Sequence, residues 1–230
     1  MKIRNSLLHV ALVVTIFTFA VTGCENLTEG EENAKAKFKV SFVNKTTTSS
    51  LAKINTPNTV MIDSGYVIIR EIVFDGEKAE GGSVSITHEQ ISTISIATGK
   101  ATPEIEVTIP SGKYKDVNLG VEIHDETNKP SIVAKGVYTD NSGVKIPIRF
   151  EFNSGEVFEA NAKEHTFASG ASALAQINFS PSKWFSTVQS YMLENATKVN
   201  GVILINENTN TSIFNIVADK LDDLTQAEFK

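Results

Sequence analysis

A single cysteine, Cys24, serves all 230 residues, so the chain cannot close an internal disulfide or assemble a thiolate metal cluster. Polar aromatics are also scarce. One tryptophan and four tyrosines leave few flat platforms for stacking sugar rings. Basic residues are outnumbered, 21 Lys and Arg against 27 Asp and Glu, and no basic cluster exists to neutralise a run of phosphates. Nucleic acid is therefore excluded as an expected partner. No repeat of fixed period, no glycine-rich phosphate loop and no His-Glu-x-x-His helix can be found. The one long apolar run, from Leu7 to Val21, spans roughly 22 Å as a helix at about 1.5 Å per residue. That falls short of the roughly 20 residues a bilayer core of about 30 Å requires.

What is present begins at the N-terminus. Lys2 and Arg4 precede the apolar run, and small residues follow it, which is the layout of a secretory signal. The run ends in Val21-Thr22-Gly23-Cys24. This stretch resembles the lipobox of bacterial lipoproteins, in which Val21, Thr22 and Gly23 are read by the signal peptidase and Cys24 is lipidated. The alternative is an ordinary signal peptide with a cysteine near its cleavage site. The resemblance implies a signal peptide over residues 1–23 and a mature chain that starts at Cys24. It also implies a covalent lipid on Cys24, so no thiol would be left to act as a nucleophile. Durable anchoring takes two or more acyl chains, since one holds only marginally. Beyond that lipid, no cofactor and no metal are expected.

Removing residues 1–23 takes away Lys2 and Arg4 and no acidic residue, so 19 bases face 27 acids, a net charge of −8. The stretch Glu25-Asn26-Leu27-Thr28-Glu29-Gly30-Glu31-Glu32 is too poor in apolar bulk to order itself, and residues 24–35 read as a flexible acidic tether. Glu25, Glu29, Glu31 and Glu32 also resemble the export tag by which some Gram-negative bacteria place lipoproteins on the cell exterior. A solvated spacer facing the periplasm is the alternative. The expected location is the outer membrane, lipid-anchored, on the cell surface, with the periplasmic face as the other option.

Residues 36–230 have the size of one domain, with a helical part over about 180–230. Phe38, Val40 and Phe42 alternate with polar neighbours, as a half-buried strand does. The run 44–58 reads as a long polar loop. Residues 65–74 read as a central strand ending in a tight turn at Asp75-Gly76. Shorter strands are expected at 83–86, 91–96, 105–109, 117–123, 132–138, 144–152, 157–160 and 173–179. A turn is expected at Pro110-Ser111-Gly112, and Asp140-Asn141-Ser142-Gly143 reads as a hairpin connection. Ser180-Pro181 starts a helix carrying Trp184, Phe185, Val188, Tyr191 and Met192 on one face. Asn210 or Thr211 caps a last helix bearing Ile213, Ile216, Val217, Leu221 and Leu224. The fold class expected is mainly β: an antiparallel β-sandwich of about ten short strands, with one or two C-terminal helices packed against it.

The order Gly65-Tyr66-Val67-Ile68-Ile69-Arg70-Glu71-Ile72, then 91–99, then Ile109-Pro110-Ser111-Gly112-Lys113-Tyr114 resembles Gram-negative lipoprotein β-sandwich domains of unknown function. These are distantly similar to fimbrillin-like and transthyretin-like modules. The likeness covers about residues 66–148, and the helical tail departs from a simple fimbrial subunit. That family carries no assigned site.

Candidate chemistry is thin. His88, His124 and His165 sit in separate segments and read as satisfied or exposed histidines rather than metal ligands. Asp116, Glu122, Asp125 and Glu126 are close in sequence, and paired carboxylates serve glycoside hydrolysis. Glu122, however, falls opposite the apolar face of its strand, which favours a solvated surface. Gly170-Ala171-Ser172 lacks the second glycine of a nucleophile elbow. Asp140-Asn141-Ser142-Gly143 and Asn206-Glu207-Asn208 read as turns rather than calcium loops. Trp184 reads as a core anchor. The expected function is binding without catalysis, in adhesion or in envelope or pilus-like assembly, with another envelope protein or a glycan as partner. The segment 38–43 is the expected strand for pairing with a partner. A carbohydrate-binding accessory protein is the alternative, and it asks for Tyr114, Tyr138 or Tyr191 exposed in a groove. A hydrolase, with His124 or His165 meeting carboxylates in a cleft, stands third.

Overall fold

Period-two alternation governs most of this chain, and the strands follow it. The computed structural model describes residues 33–41, 57–170, 172–178, 180–221 and 226–229. In chain order the first strands are β1 (Asn33–Ser41), β2 (Thr59–Lys78), β3 (Ser83–Ser95), β4 (Ala101–Thr102), β5 (Ile105–Pro110) and β6 (Gly112–Ile123). Next come β7 (Ile132–Thr139), β8 (Lys145–Phe152), β9 (Val157–Phe167) and β10 (Ser172–Asn178). The C-terminal part holds α1 (Pro181–Trp184), α2 (Ser190–Glu194), β11 (Lys198–Val199), β12 (Val202–Ile205), α3 (Thr211–Ala218) and β13 (Gln226–Phe229). The protein is mainly β, a sandwich of two sheets around one apolar core.

The smaller sheet has the order β13-β10-β1-β5. The larger sheet of nine strands runs β11-β12-β8-β7-β2-β3-β4, with β6 and β9 added beside the second half of β2. The strand β2 carries this arrangement. Its first half pairs with β7, from Thr59↔Thr139 to Val67↔Ile132, and its second half pairs with β6 along the same edge. Its other edge holds β3 from Tyr66↔Ser95 onward. Pairing is antiparallel except for β1 with β10 and β12 with β8. Ile105, Val107 and Ile109 of β5 bury their side chains in the same cluster as Ile72, Phe74, Leu119 and Val121 of the larger sheet. That shared cluster makes one core from two sheets.

Several sequence expectations shift here. The chain does not turn at Asp75-Gly76. Gly76 sits mid-strand against Val84 and Val117, and β2 turns only at 79–82, where Gly81 and Gly82 take φ of 99° and 91°. Glycine is required at 76 for another reason: a Cβ there would lie 2.6 Å from the ring of Tyr114. Pro110-Ser111-Gly112 is likewise a corner rather than a reversal. It carries the chain from β5 in one sheet to β6 in the other, with Gly112 at φ 146° and the Tyr114 hydroxyl donating to the Pro110 carbonyl at 2.9 Å. The strands expected at 83–86 and 91–96 are one strand, β3, and the strand expected at 157–160 continues to Phe167.

The hairpin at 140–143 forms as expected, with Asp140 Oδ1 accepting from the amides of Ser142 and Val144 at 2.8 Å each. The helix expected after Ser180 is broken into α1 and α2. Ser186, Thr187, Val188 and Ser190 explain the break, since hydroxyl and β-branched side chains compete with or crowd helical backbone. Trp184 and Phe185 are buried, while Tyr191 is 62% exposed and leaves the expected apolar face. Both helical ends of the tail dock on β8: Phe150 meets Trp184, Phe185 and Phe214 at ring separations of 6.4, 6.2 and 5.9 Å. The expected loop 44–58 lies outside the described residues up to 56, and Leu224 of the last helix lies outside them as well.

Candidate functional surface

Among the described residues, the outward face of β3, β2, β6 and β9 gathers a cluster of charged side chains. Register places Glu89, Glu71 and Glu122 side by side on three adjacent strands. Two steps along, Ser85, Asp75, Asn118 and Asn161 form a row, followed by Ser83, Glu77, Asp116 and Lys163. The inward row between these two is Val84, Gly76, Val117 and Ala162. A shallow cleft of about 470 Å³ crosses the four strands and is lined by all twelve of these row residues.

Two irregularities re-aim side chains onto this face. Between Ile69 and Glu71 the register of β2 against β6 shifts, because Ile69↔Ile123 is followed by Glu71↔Glu122. Arg70 is the inserted residue, so Arg70 and Glu71 both point outward while Ile69 and Ile72 stay buried. A second shift between Glu77 and Lys78 turns both Lys115 and Asp116 outward, and Lys115 Nζ lies 2.5 Å from Glu77.

Arg70 is the centre of the first irregularity. Its Nη2 lies 3.0 Å from Glu122 and 3.5 Å from Glu71, and its Nη1 lies 3.3 Å from Glu126. Its Nε is buried without a hydrogen-bond partner. Burial opposes the charge on Arg70, and the three carboxylates outweigh it, so the guanidinium holds its proton more tightly than usual. Glu71 moves the other way from a typical ion-paired acid. Its hydrogen bond with Glu122, then burial and the Glu122 charge, raise its pKa against the opposing pull of Arg70. A cleft of about 320 Å³ lies beside this group, lined by Arg70, Glu71, Glu89, Gln90, Ile91 and Glu126.

The residues singled out by sequence separate clearly. Glu122 and Glu126 meet on Arg70, Asp116 lies at the far end of β6 beside Glu77, and Asp125 is exposed just beyond the strand. His88 lies on β3, its Nε2 3.4 Å from Gln90. His124 is buried after β6, with Nδ1 unpartnered. His165 sits on β9 with its ring 4.6 Å from that of Phe167, and burial lowers its pKa. No group of three or more His, Cys, Asp or Glu able to hold a metal occurs among the described residues.

Tyr114 and Tyr138 are fully buried, so the aromatic groove that the carbohydrate alternative asks for does not form around them. Trp184 is a buried anchor. The segment Phe38–Ser41 lies in β1, where it pairs with β10 throughout but with β5 at Phe38 alone, so it is held in its own sheet on one edge while residues 39–41 have no strand partner on the other. Asn206-Glu207-Asn208 closes as a turn, with Asn206 Oδ1 accepting from the Asn208 amide at 3.0 Å. Cys24, with Val21, Thr22, Gly23, Glu25, Glu29, Glu31 and Glu32, lies outside the described residues.

Sequence reasoning missed Arg70 and Glu71 as partners of Glu122. The sequence carries no signal for this: the run 66–74 is apolar on both faces, and the burial at 67, 69, 72 and 74 that brackets the bulge belongs to the assembled sheet. No protein-family model, no curated protein and no solved structure matches this chain.

Proposed function

We propose that this chain is a lipid-anchored protein of the bacterial cell envelope, exposed on the cell surface, that acts by binding another envelope component rather than by catalysis. The lipobox-like Val21-Thr22-Gly23-Cys24, set directly before a β-sandwich, is the observation that carries the reading. The first strand begins at Asn33, nine residues after Cys24. At about 3.5 Å per residue, the lipid and the folded part stand no more than roughly 30 Å apart. A domain on so short a leash presents its loops and sheet faces to neighbours at the membrane. The outward face of β3, β2, β6 and β9, with Glu71, Glu77, Asp75, Asp116 and Glu122 against Arg70, Lys115 and Lys163, suits a partner that brings positive charge.

The test is fractionation of cells, with protease added to intact cells and a periplasmic protein as control. The expected result has three parts. The protein travels with the outer membrane, it is cleaved while the control survives, and Cys24→Ala sends it to the soluble fraction. Cleavage only after the outer membrane is permeabilised would move the domain to the periplasmic face. Membrane retention of Cys24→Ala would overturn the anchor.

A further inference from the structure

We propose that the free edge of β3, over Ser83–Glu89, is where two copies of this chain pair, strand to strand, about a two-fold axis. Along this stretch β3 bonds to β2 on one side only, because β4 takes up just Thr93 and Ile94. Every second residue there turns its N–H and C=O toward the vacant side.

Other strand edges in the described residues are closed, interrupted or short; the open edges of β13 and of β1 beyond Phe38 run for four and three residues. The first half of β2 has α1 beside it, where Ser182 Oγ accepts from the Ile62 amide at 3.1 Å. The strands β4 and β11 have two residues each. In β9 the edge carries Glu159, Lys163 and Glu164, and Glu164 breaks the strand line with φ 32°. The strand β5 contains Glu106 and ends in Pro110.

Such charges, prolines and breaks are how folded proteins keep edges from pairing. Ser83-Val84-Ser85-Ile86-Thr87-His88 has none of them, and the single charge of the stretch, Glu89, stands at its end. Its composition is instead that of a strand seeking a neighbour. Val84 and Ile86 pack against the core but remain only partly buried, since no further strand covers their outer side.

The segment is complementary to itself. Antiparallel pairing centred on Ile86 sets Ile86 against Ile86, Val84 against His88, Ser85 against Thr87 and Ser83 against Glu89. Apolar residues then continue the inward face and hydroxyls meet on the outward face. No two like charges stand opposite each other, which is the condition for a favourable cross-strand ladder. This match points to a second copy rather than to an unrelated strand.

One strand pair buries well under the roughly 1,000 Å² of a stable interface, so the pair is weak between free molecules. Two copies lipid-anchored in one membrane meet at an effective concentration far above that in solution, and the same contact then holds. The inference draws on the anchored reading for this gain in concentration alone. Edge pairing itself is read separately in the test below.

Cys24 is the chain's only cysteine, which makes a disulfide test clean. Ile86→Cys places a thiol on the axis, where opposed Cα atoms at about 4.5–5.5 Å fall within disulfide range. Mild oxidation should link Ile86→Cys protein into dimers in two settings: on vesicles carrying the lipidated chain, and in concentrated solutions of the chain that also carries Cys24→Ala. Lys163→Cys on β9 should stay monomeric in both. Adding Ser85→Lys and Thr87→Lys sets lysine opposite lysine twice and should cut the linked fraction roughly tenfold. Adding Ser85→Glu with Thr87→Lys sets opposite charges together and should preserve it. The charge changes all fall on Ser85 and Thr87, both exposed, so folding is spared. Linkage no greater than that of Lys163→Cys overturns the proposal. So does linkage indifferent to the charge pairs, or a disulfide to a different protein. Linkage in solution but not on vesicles leaves edge pairing standing and counts against the anchored geometry.

Discussion

Glu71 is an acid whose proton is stabilised by its neighbour, and this has a sign that can be measured. A carboxyl with a raised pKa adds stability that is fully present below its unfolded value, near 4.3, and is lost as pH rises through the folded value. Glu71→Gln keeps an uncharged donor toward Glu122. In thermal melts its Tm should match the native protein near pH 4 and exceed it at pH 7. A native protein that stays the more stable at pH 7 would mean that the Arg70 pair outweighs the Glu122 contact. His165 carries the opposite sign: burial lowers its pKa, so its contribution is present above about pH 6.5 and is lost as pH falls through the folded value. Removing that titration with His165→Gln should flatten the fall in Tm between pH 7 and pH 5.

Tyr114 ties three observations together at the same scale. Its ring makes edge contacts with Phe74 and Phe167 at 5.7 and 5.4 Å, its hydroxyl holds the Pro110 carbonyl, and its flank needs Gly76 bare. Tyr114→Phe should cost about 1 kcal/mol in chemical denaturation, the net worth of one hydrogen bond. Gly76→Ala should cost more, about 1–3 kcal/mol, because the ring itself must move. Equal costs would mean that the corner between the sheets does not depend on the ring's position.

Among the elements, legibility tracked regularity. The alternation of Val117, Leu119, Val121 and Ile123 and the Asp140–Gly143 turn could be read directly, because each depends on residues adjacent in sequence. Gly76 was misread as a turn because its purpose is set by Tyr114, 38 positions away. Arg70 and Glu71 escaped notice because a bulge depends on how two strands count against each other, which no single strand displays. The last helix was legible in its apolar spacing, but the work of Asn210 was not. That residue does not cap α3 with its side chain. It sits at φ 55°, donates to the carbonyls of Thr197 and Leu204, and accepts from the Thr197 amide. It therefore ties the start of α3 to the segments around β11 and β12. Asn210→Gly retains the backbone freedom and removes those three bonds. It should lower stability by about 2–3 kcal/mol at roughly 1 kcal/mol each, read from the denaturation midpoint at unchanged slope.

At the scale of the whole molecule, the tail from Pro181 onward completes the core rather than decorating it. Trp184, Phe185 and Phe214 all meet Phe150, and a chain ending at residue 179 would uncover that ring. Such a truncated protein should bind a hydrophobic dye and elute as an expanded or aggregated species. A compact, dye-silent product would show that the two sheets suffice alone. The class of fold was legible from composition and turn spacing. The long β2 with three strand partners was not, since sharing one strand between two neighbours is a property of the assembled sheet.

The placement of β1 has a mechanical side. This strand is the first after the proposed anchor, and it lies between two neighbours, in seven register pairs with β10 and six with β5. Were Cys24 lipidated as proposed, tension would enter β1 at its N-terminal end, and a pull along that strand's axis would cross both ladders. It would load their hydrogen bonds together, in shear, rather than opening them one at a time from an end. A domain tugged through that leash while its far face is held elsewhere would resist by the sum of those bonds. The first strand after the proposed anchor would in this way be the grip by which the whole sandwich bears tension.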